Sequence, residues 1–262
     1  MMRSLDIAAT GMQAQQTHVD VISHNLANMT TGGYKRNTPQ FQDLLYESQR
    51  RVGTNSSDVG TIVPTGVQLG LGVKTGGVNR SHEQGTINVT DNPLDIAVKG
   101  RGFFQVQMPD GEFTYTRNGS FQLSPQGEIV TVDGYLVSPG ITVPEEAIDI
   151  SINNEGLVQV TLDGQIEPQT LGQFDMANFI NPAGLEAIGD NLYRETAASG
   201  NVLLGLAGQE GFGNLGQGQL EQSNVDPVTE VTQLIVAQRA YEMNSKVISA
   251  SDQMLQALNQ SA

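Results

Sequence analysis

Residues 23–36 read SHNLANMTTGGYKR. Upstream of this run, apolar residues return every seven positions, at Leu5, Met12, Val19 and Leu26. A second row, Ala8, Gln15, Ile22 and Met29, completes the a and d positions of a heptad pattern that is flawed only at Gln15. The period predicts a helix of about 25 residues, roughly 37 Å long at 1.5 Å per residue. TTGG supplies its stop, because Gly32 or Gly33 can adopt the left-handed conformation that closes a helix.

The other end of the chain mirrors the first. Asp226 followed by Pro227 reads as an N-cap with proline in the first helical turn. The next 31 residues, VTEVTQLIVAQRAYEMNSKVISASDQMLQAL, contain neither glycine nor proline. Leu234, Tyr241, Ile248 and Leu255 are again seven apart, and Ala237, Asn244, Ser251 and Leu258 occupy the other row. Two heptad segments at opposite ends of one chain favour pairing with each other over separate docking onto a core. The predicted interface joins Leu5, Met12, Val19, Ile22 and Leu26 to Leu234, Tyr241, Ile248 and Leu255. Their outer faces are polar but poor in charge, and such helices are marginal alone in water. Both ends are therefore expected to be largely disordered in the monomer and to fold on assembly.

Between the ends the chain changes character. Of 30 glycines, 29 fall in residues 32–218, together with nine of the ten prolines. Residues 109–139, PDGEFTYTRNGSFQLSPQGEIVTVDGYLVSP, place Asp110-Gly111, Asn118-Gly119, Gln126-Gly127 and Asp133-Gly134 between short runs rich in β-branched and aromatic residues. This is hairpin patterning, and residues 150–174 repeat it. The fold class expected is α+β: a discontinuous coiled-coil domain of residues 1–32 and 224–262 and a central, mainly antiparallel β domain of residues 81–223. Residues 33–80 are expected to form an extended connecting segment.

Composition narrows the function. Thirteen basic against 28 acidic side chains give a net charge of −15, which argues against nucleic acid because phosphate binding needs concentrated Lys and Arg. The chain has no cysteine, which excludes disulfides and thiolate metal sites. No apolar run is long enough to span a membrane as a helix, and the N-terminus lacks the apolar core of a secretory signal. His18 and His24 are six apart rather than the four that a two-histidine helical metal site wants. His82 has no nucleophile placed to use it, and Asp91 and Asp95 read as a turn acid and a strand-edge acid. The glycine-rich runs at 70–77 and 205–218 match neither phosphate-loop pattern. No catalytic constellation emerges, and neither a cofactor nor a small-molecule substrate is expected.

Three separated motifs, in order, carry a resemblance. SHNLANMTTGGYKR, with Asn25, Leu26, Ala27 and Asn28 at its centre, is similar to the N-terminal signature of the bacterial flagellar axial family, the rod and hook proteins. VKGRGFFQVQMPDGEFTYTRNGSFQLSPQGEIVTVDGYLVSP resembles its central β motif, and residues 223–258 resemble its C-terminal signature. The insertion-like residues 46–74, with Tyr46, Gly53, Ser57 and Pro64, are similar to the segment that marks the distal rod branch and that is implicated there in a straight, stiff rod. The resemblance implies paired terminal helices lining a hollow, torque-transmitting tube, with the β domain outside. It implies partners in further copies of the chain, the proximal rod proteins, the hook protein, the P and L ring proteins and the flagellar export apparatus. It also implies a periplasm-spanning place in the basal body, reached without signal-peptide cleavage. Proximal rod or hook membership, and a secreted β-rich surface protein, are the alternatives.

Overall fold

The computed structural model describes residues 2–50, 65–164 and 167–261. They fall into two compact units: one within residues 1–26, 37–79 and 226–262, the other within 27–36 and 80–225.

The first unit holds both long helices, α1 (Met2–Ala27) and α2 (Pro227–Ser261). At the start of α2 the Asp226 carboxylate accepts the Val228 N–H at 3.2 Å, and its carbonyl accepts the Glu230 N–H at 3.0 Å. Pro227 follows as the first helical residue, where its missing N–H costs nothing. Four strands accompany the helices: β1 (Asn37–Asp43), β2 (Tyr46–Arg50), β3 (Val67–Gly70) and β4 (Val73–Arg80). β1 pairs with β4, and β2 with β3. The loop before β4 lies on α1: a Cβ at Gly72 would meet the Thr10 hydroxyl, which also accepts the Val73 N–H at 3.4 Å. Of residues 33–80, expected as a connecting segment, the described part of 37–79 falls in the unit that holds the helices.

The second unit is β-rich. It contains β5 (Ile87–Val89), β6 (Ile96–Lys99), β7 (Phe103–Gln107), β8 (Phe113–Thr116), β9 (Gln122–Leu123), β10 (Ile129–Val130), β11 (Leu136–Val137) and β12 (Ala147–Ile152). There follow β13 (Leu157–Leu162), β14 (Gln169–Gln173), β15 (Asp175–Asn178), β16 (Glu186–Gly189), β17 (Leu192–Arg194), β18 (Leu203–Leu206), β19 (Asn214–Gln217) and β20 (Gln219–Glu221). The main sheet runs β16-β17-β8-β7-β11-β10-β9, with β15 also on β7 and β18 on β15. A three-stranded sheet, β12-β13-β14, and the pairs β19-β6 and β20-β5 complete it. Every pairing in the unit is antiparallel. The fold is α+β.

β7 explains where the core sits. Successive strand residues point to opposite faces, and β7 begins Phe103-Phe104, both buried. Phe104 enters a large cluster with Ile96, Phe121, Ile129, Val158 and Phe174. Phe103 enters a second cluster with Tyr115, Phe179, Leu185 and Tyr193. Aromatic rings meet edge to face in both, Phe104 with Phe121 at 5.0 Å and Tyr115 with Phe179 at 4.8 Å. A strand covered on both faces need not alternate apolar with polar, which is why two phenylalanines stand side by side at its start and Gln105 is buried with them.

Candidate functional site

The N-terminal signature is anchored twice, once in each unit, and each anchor is a buried glutamate from the C-terminal part of the chain.

In the helical unit, α1 and α2 run antiparallel in constant register. Ser4 Oγ lies 3.3 Å from Ser251 Oγ. A Cβ at Gly11 would sit 2.9 Å from the Asn244 amide, so glycine permits that approach. Asn25 Nδ2 donates to Glu230 Oε2 at 3.2 Å. Seven residues forward on one helix is seven back on the other, and Ala237, 1% exposed, occupies the remaining step opposite His18. Asn25 also closes two hydrogen bonds on Asn37, accepting its N–H at 2.9 Å and donating to its carbonyl at 2.8 Å. It thereby fixes the chain where β1 begins. Burial lowers the pKa of His18, opposed by the nearby Glu230 carboxylate.

The residues expected at the helix interface lie differently. Ile22 is 1% exposed. Leu5, Met12, Val19, Leu26, Leu234, Ile248 and Leu255 are half-buried, and Tyr241 is 43% exposed. Tyr241 and Val19 share a groove of about 460 Å³ with Gln16, Gln238 and Glu242. Close cross-helix approaches fall one residue earlier on α1, at Ser4, Gly11 and Asn25, and on the polar row of α2. Apolar periodicity locates the ridges beside the seam, whereas the seam itself is small or polar and leaves no apolar trace.

In the β unit, the signature delivers Lys35. The helix ends at Ala27 rather than at the glycines. Two turns follow, with the Thr31 N–H on the Asn28 carbonyl and the Tyr34 N–H on the Thr31 carbonyl. Thr31 Oγ1 also donates to the Asn28 side chain. Gly33 then takes φ +70° and crosses residues 117–118 so closely that a Cβ would lie 2.7 Å from the Asn118 nitrogen. Its left-handed conformation serves this crossing, not the helix cap. Past it, Lys35 is 1% exposed and donates to Glu221 Oε1 at 2.6 Å and to the Glu83 carbonyl at 2.7 Å. Glu221 Oε1 also accepts the Gly85 N–H at 2.9 Å. Its Oε2 accepts Arg117 Nε at 3.0 Å, and its carbonyl accepts the Gly33 N–H at 2.9 Å. The other ends of the guanidinium reach the Gly100 and Gly102 carbonyls. Two buried cations against one carboxylate leave a surplus positive charge, which these carbonyl dipoles offset. Burial lowers the pKa of Lys35; Glu221 opposes that shift and Arg117 adds to it.

His82 lies in the same unit, its ring 5.6 Å from Phe103 and 5.8 Å from Tyr193. Arg80 sits 5.1 Å over the Tyr193 ring. Burial, with Arg80, Lys35 and Arg117 nearby, lowers its pKa to about 4, so it is neutral at physiological pH. Among the described residues no cluster of three His, Cys, Asp or Glu side chains is arranged for a metal ion. No described helix is long and apolar enough to cross a membrane.

Lys35 appears in the sequence only as half of a basic pair, and Arg117 and Glu221 carry no signal there. Glu230 does leave a trace, as the polar head of the row that continues through Ala237, Asn244 and Ser251. Of the expected stiffness segment, Tyr46 lies in β2 and is 59% exposed, whereas Gly53, Ser57 and Pro64 lie outside the described residues.

Comparison with known proteins places this arrangement. The chain is 60% identical over 259 residues to the flagellar basal-body rod protein FlgG of Caulobacter vibrioides, covering 99% of each chain. The chain belongs to the flagellar basal-body rod protein family. Rod proteins FlgG of Borreliella burgdorferi and Bacillus subtilis are 48% and 38% identical, over 97% and 98% of each chain. The model described as flagella basal body rod protein matches residues 5–35, which hold Asn25 and Lys35. That of the flagellar hook protein FlgE/F/G D1 domain matches 97–160, which hold Arg117. That of the flagellar basal body rod FlgEFG protein C-terminal matches 217–261, which hold Glu221 and Glu230. Each member of the two buried anchors therefore falls within a rod-family segment. As a family member the chain is a structural subunit of the flagellar rod, in the basal body.

Proposed function

We propose that this chain is the distal rod subunit, polymerising into a hollow helical shaft that transmits torque to the hook. The observation that carries the reading is full-length similarity to flagellar basal-body rod proteins, supported by the gathering of this chain's two ends into one helical unit. In this reading the ridges formed by Leu5, Met12, Val19, Ile22 and Leu26 and by Leu234, Tyr241, Ile248 and Leu255 hold the helix pair together. Residues 46–64 bridge neighbouring copies and stiffen the shaft. The role is mechanical, without catalysis or cofactor. The partners are further copies of the chain, proximal rod proteins beneath, the hook protein above and the P and L ring proteins around it. The subunit reaches its periplasm-spanning place through the flagellar export apparatus without signal-peptide cleavage.

Electron microscopy of basal bodies from a strain lacking the protein tests this. Rods that stop short, with neither hook nor outer ring, are expected. Complete rods without hooks would move the subunit to the hook, and unchanged flagella would overturn the reading.

A further inference from the structure

Beyond the two heptad rows already assigned to the helix pair, helix α2 carries a third. It runs Val236, Ala240, Met243, Val247, Ala250, Met254, alternating steps of four and three. At 100° per residue it lies roughly 90° round the helix from the row of Glu230, Ala237, Asn244 and Ser251. Its large members stand in solvent: Val236 is 62% exposed, Met243 60%, Val247 46% and Met254 52%. Single exposed apolar side chains are ordinary, but a continuous row of this kind marks a contact surface. The heptad step specifies that what covers it is another helix.

Charge selects which helix. Exposed Arg239 and Lys246, seven apart, flank this row on one side. A second α2 laid against it would bring those bases onto their own kind. The outward face of α1 has the complementary character. Asp6, Gln13 and Asp20 follow one another at seven-residue steps, with Ala9, Gln16 and Ser23 between them, and all six are exposed. Small and polar side chains there leave room for the methionines, and the two carboxylates meet the bases.

We infer that the Val236–Met254 row of one copy docks on the Asp6–Asp20 face of α1 in the next copy. The contact joins two different surfaces, so it does not close on a pair and propagates into an open helical polymer. This inference rests on the reading of the chain as a rod subunit and names the surface that extends the rod.

The natural chain has no cysteine, so introduced thiols report without background. Gln13→Cys and Val247→Cys variants would be expressed together in cells lacking the native protein, and their basal bodies treated with a short thiol-to-thiol cross-linker. The expected product is a dimer containing one chain of each kind, formed in the mixture and in neither variant alone. Dimers from Val247→Cys alone, or normal rods with no cross-link, would overturn the contact while leaving the rod reading intact. Absence of the unmodified protein from basal bodies would overturn the rod reading and the contact with it. In parallel, Arg239→Glu with Lys246→Glu should cut the motile fraction at least about tenfold, since like charges then oppose Asp6 and Asp20. Adding Asp6→Lys and Asp20→Lys to the same chain should restore it. Failure of that restoration, in a chain that still accumulates, would also overturn the proposal.

Discussion

The two units are held together by contrasting means. In the β unit Ile96, Phe104, Val106, Val137, Val158 and Phe174 are wholly removed from water, and aromatic rings interlock among them. The helix pair buries little that is large. Its buried apolar residues among the described ones are Ile22 and the alanines 8, 14 and 237, beside the polar Asn25, Glu230 and Ser251. Meanwhile α2 leaves valines and methionines in solvent. Since hydrophobic stabilisation scales with the apolar area removed from water, the β unit carries its own stability. The helical unit, with little large apolar surface buried, is expected to be the less stable of the two in the isolated chain.

That contrast can be broken or sharpened experimentally. The largest effect expected is from limited proteolysis of the purified monomer, which should remove both helices while a core within residues 80–225 survives. Helices that resist as long as the core would put the two units on an equal footing. Next, Glu221→Ala should cost about 3–5 kcal/mol of β-unit stability, because it leaves Lys35 and Arg117 buried without their carboxylate. Urea unfolding of the full chain, followed by near-ultraviolet circular dichroism of the β-unit aromatic residues, measures this, and a loss under about 1 kcal/mol would mean that backbone carbonyls alone hold the two cations.

An acid-dependent loss of up to about 3 kcal/mol should come from His82, at 1.36 kcal/mol per pKa unit. Its pKa is about 4 in the folded chain against an ordinary 6.5, so the unfolded chain takes up the proton first as pH falls. The stability is fully present above about pH 6.5 and is lost progressively towards pH 4. The urea midpoint should fall from pH 7.5 to pH 5 in the natural chain, and distinctly less in His82→Gln. Asn25→Ala should cost about 1–3 kcal/mol by removing its hydrogen bonds to Glu230 and to the Asn37 backbone. Swimming should be impaired while the β core melts unchanged. The smallest effect is expected at Ser251→Ala, within about 0.5 kcal/mol, because it removes one long hydroxyl pair.

Much of this fold is legible in the sequence where the cause is local. The heptads, the Asp226-Pro227 start of α2 and the glycine-marked turns of residues 109–139 each depend on neighbours within a few positions. What stays hidden depends on distant partners. β7 pairs with β8, which follows it directly, but also with β11 and β15, and its two phenylalanines serve different clusters. Glu221 sits in QLEQSN and reads like any surface acid, yet it is 2% exposed between two cations. The helix seam is displaced from the apolar rows because glycine, serine and asparagine allow close approach without adding hydrophobicity. Asn25, Lys35, Arg117 and Glu230 fall inside the three motifs and Glu221 falls outside them, and no local feature of the sequence joins the partners.

The separation of those anchors along the chain fixes an order of events in time. Asn25 finds Glu230 after 205 residues, and Lys35 finds Glu221 after 186. A growing polypeptide that has emerged as far as residue 220 has its N-terminal signature and most of its strands, but neither Glu221 to neutralise Lys35 nor Glu230 to bond Asn25. Closure of such long loops is slow and comes late. Both glutamates therefore arrive with the last sixth or so of these residues, and a product that ends before Glu221 retains a lysine with no carboxylate to neutralise it.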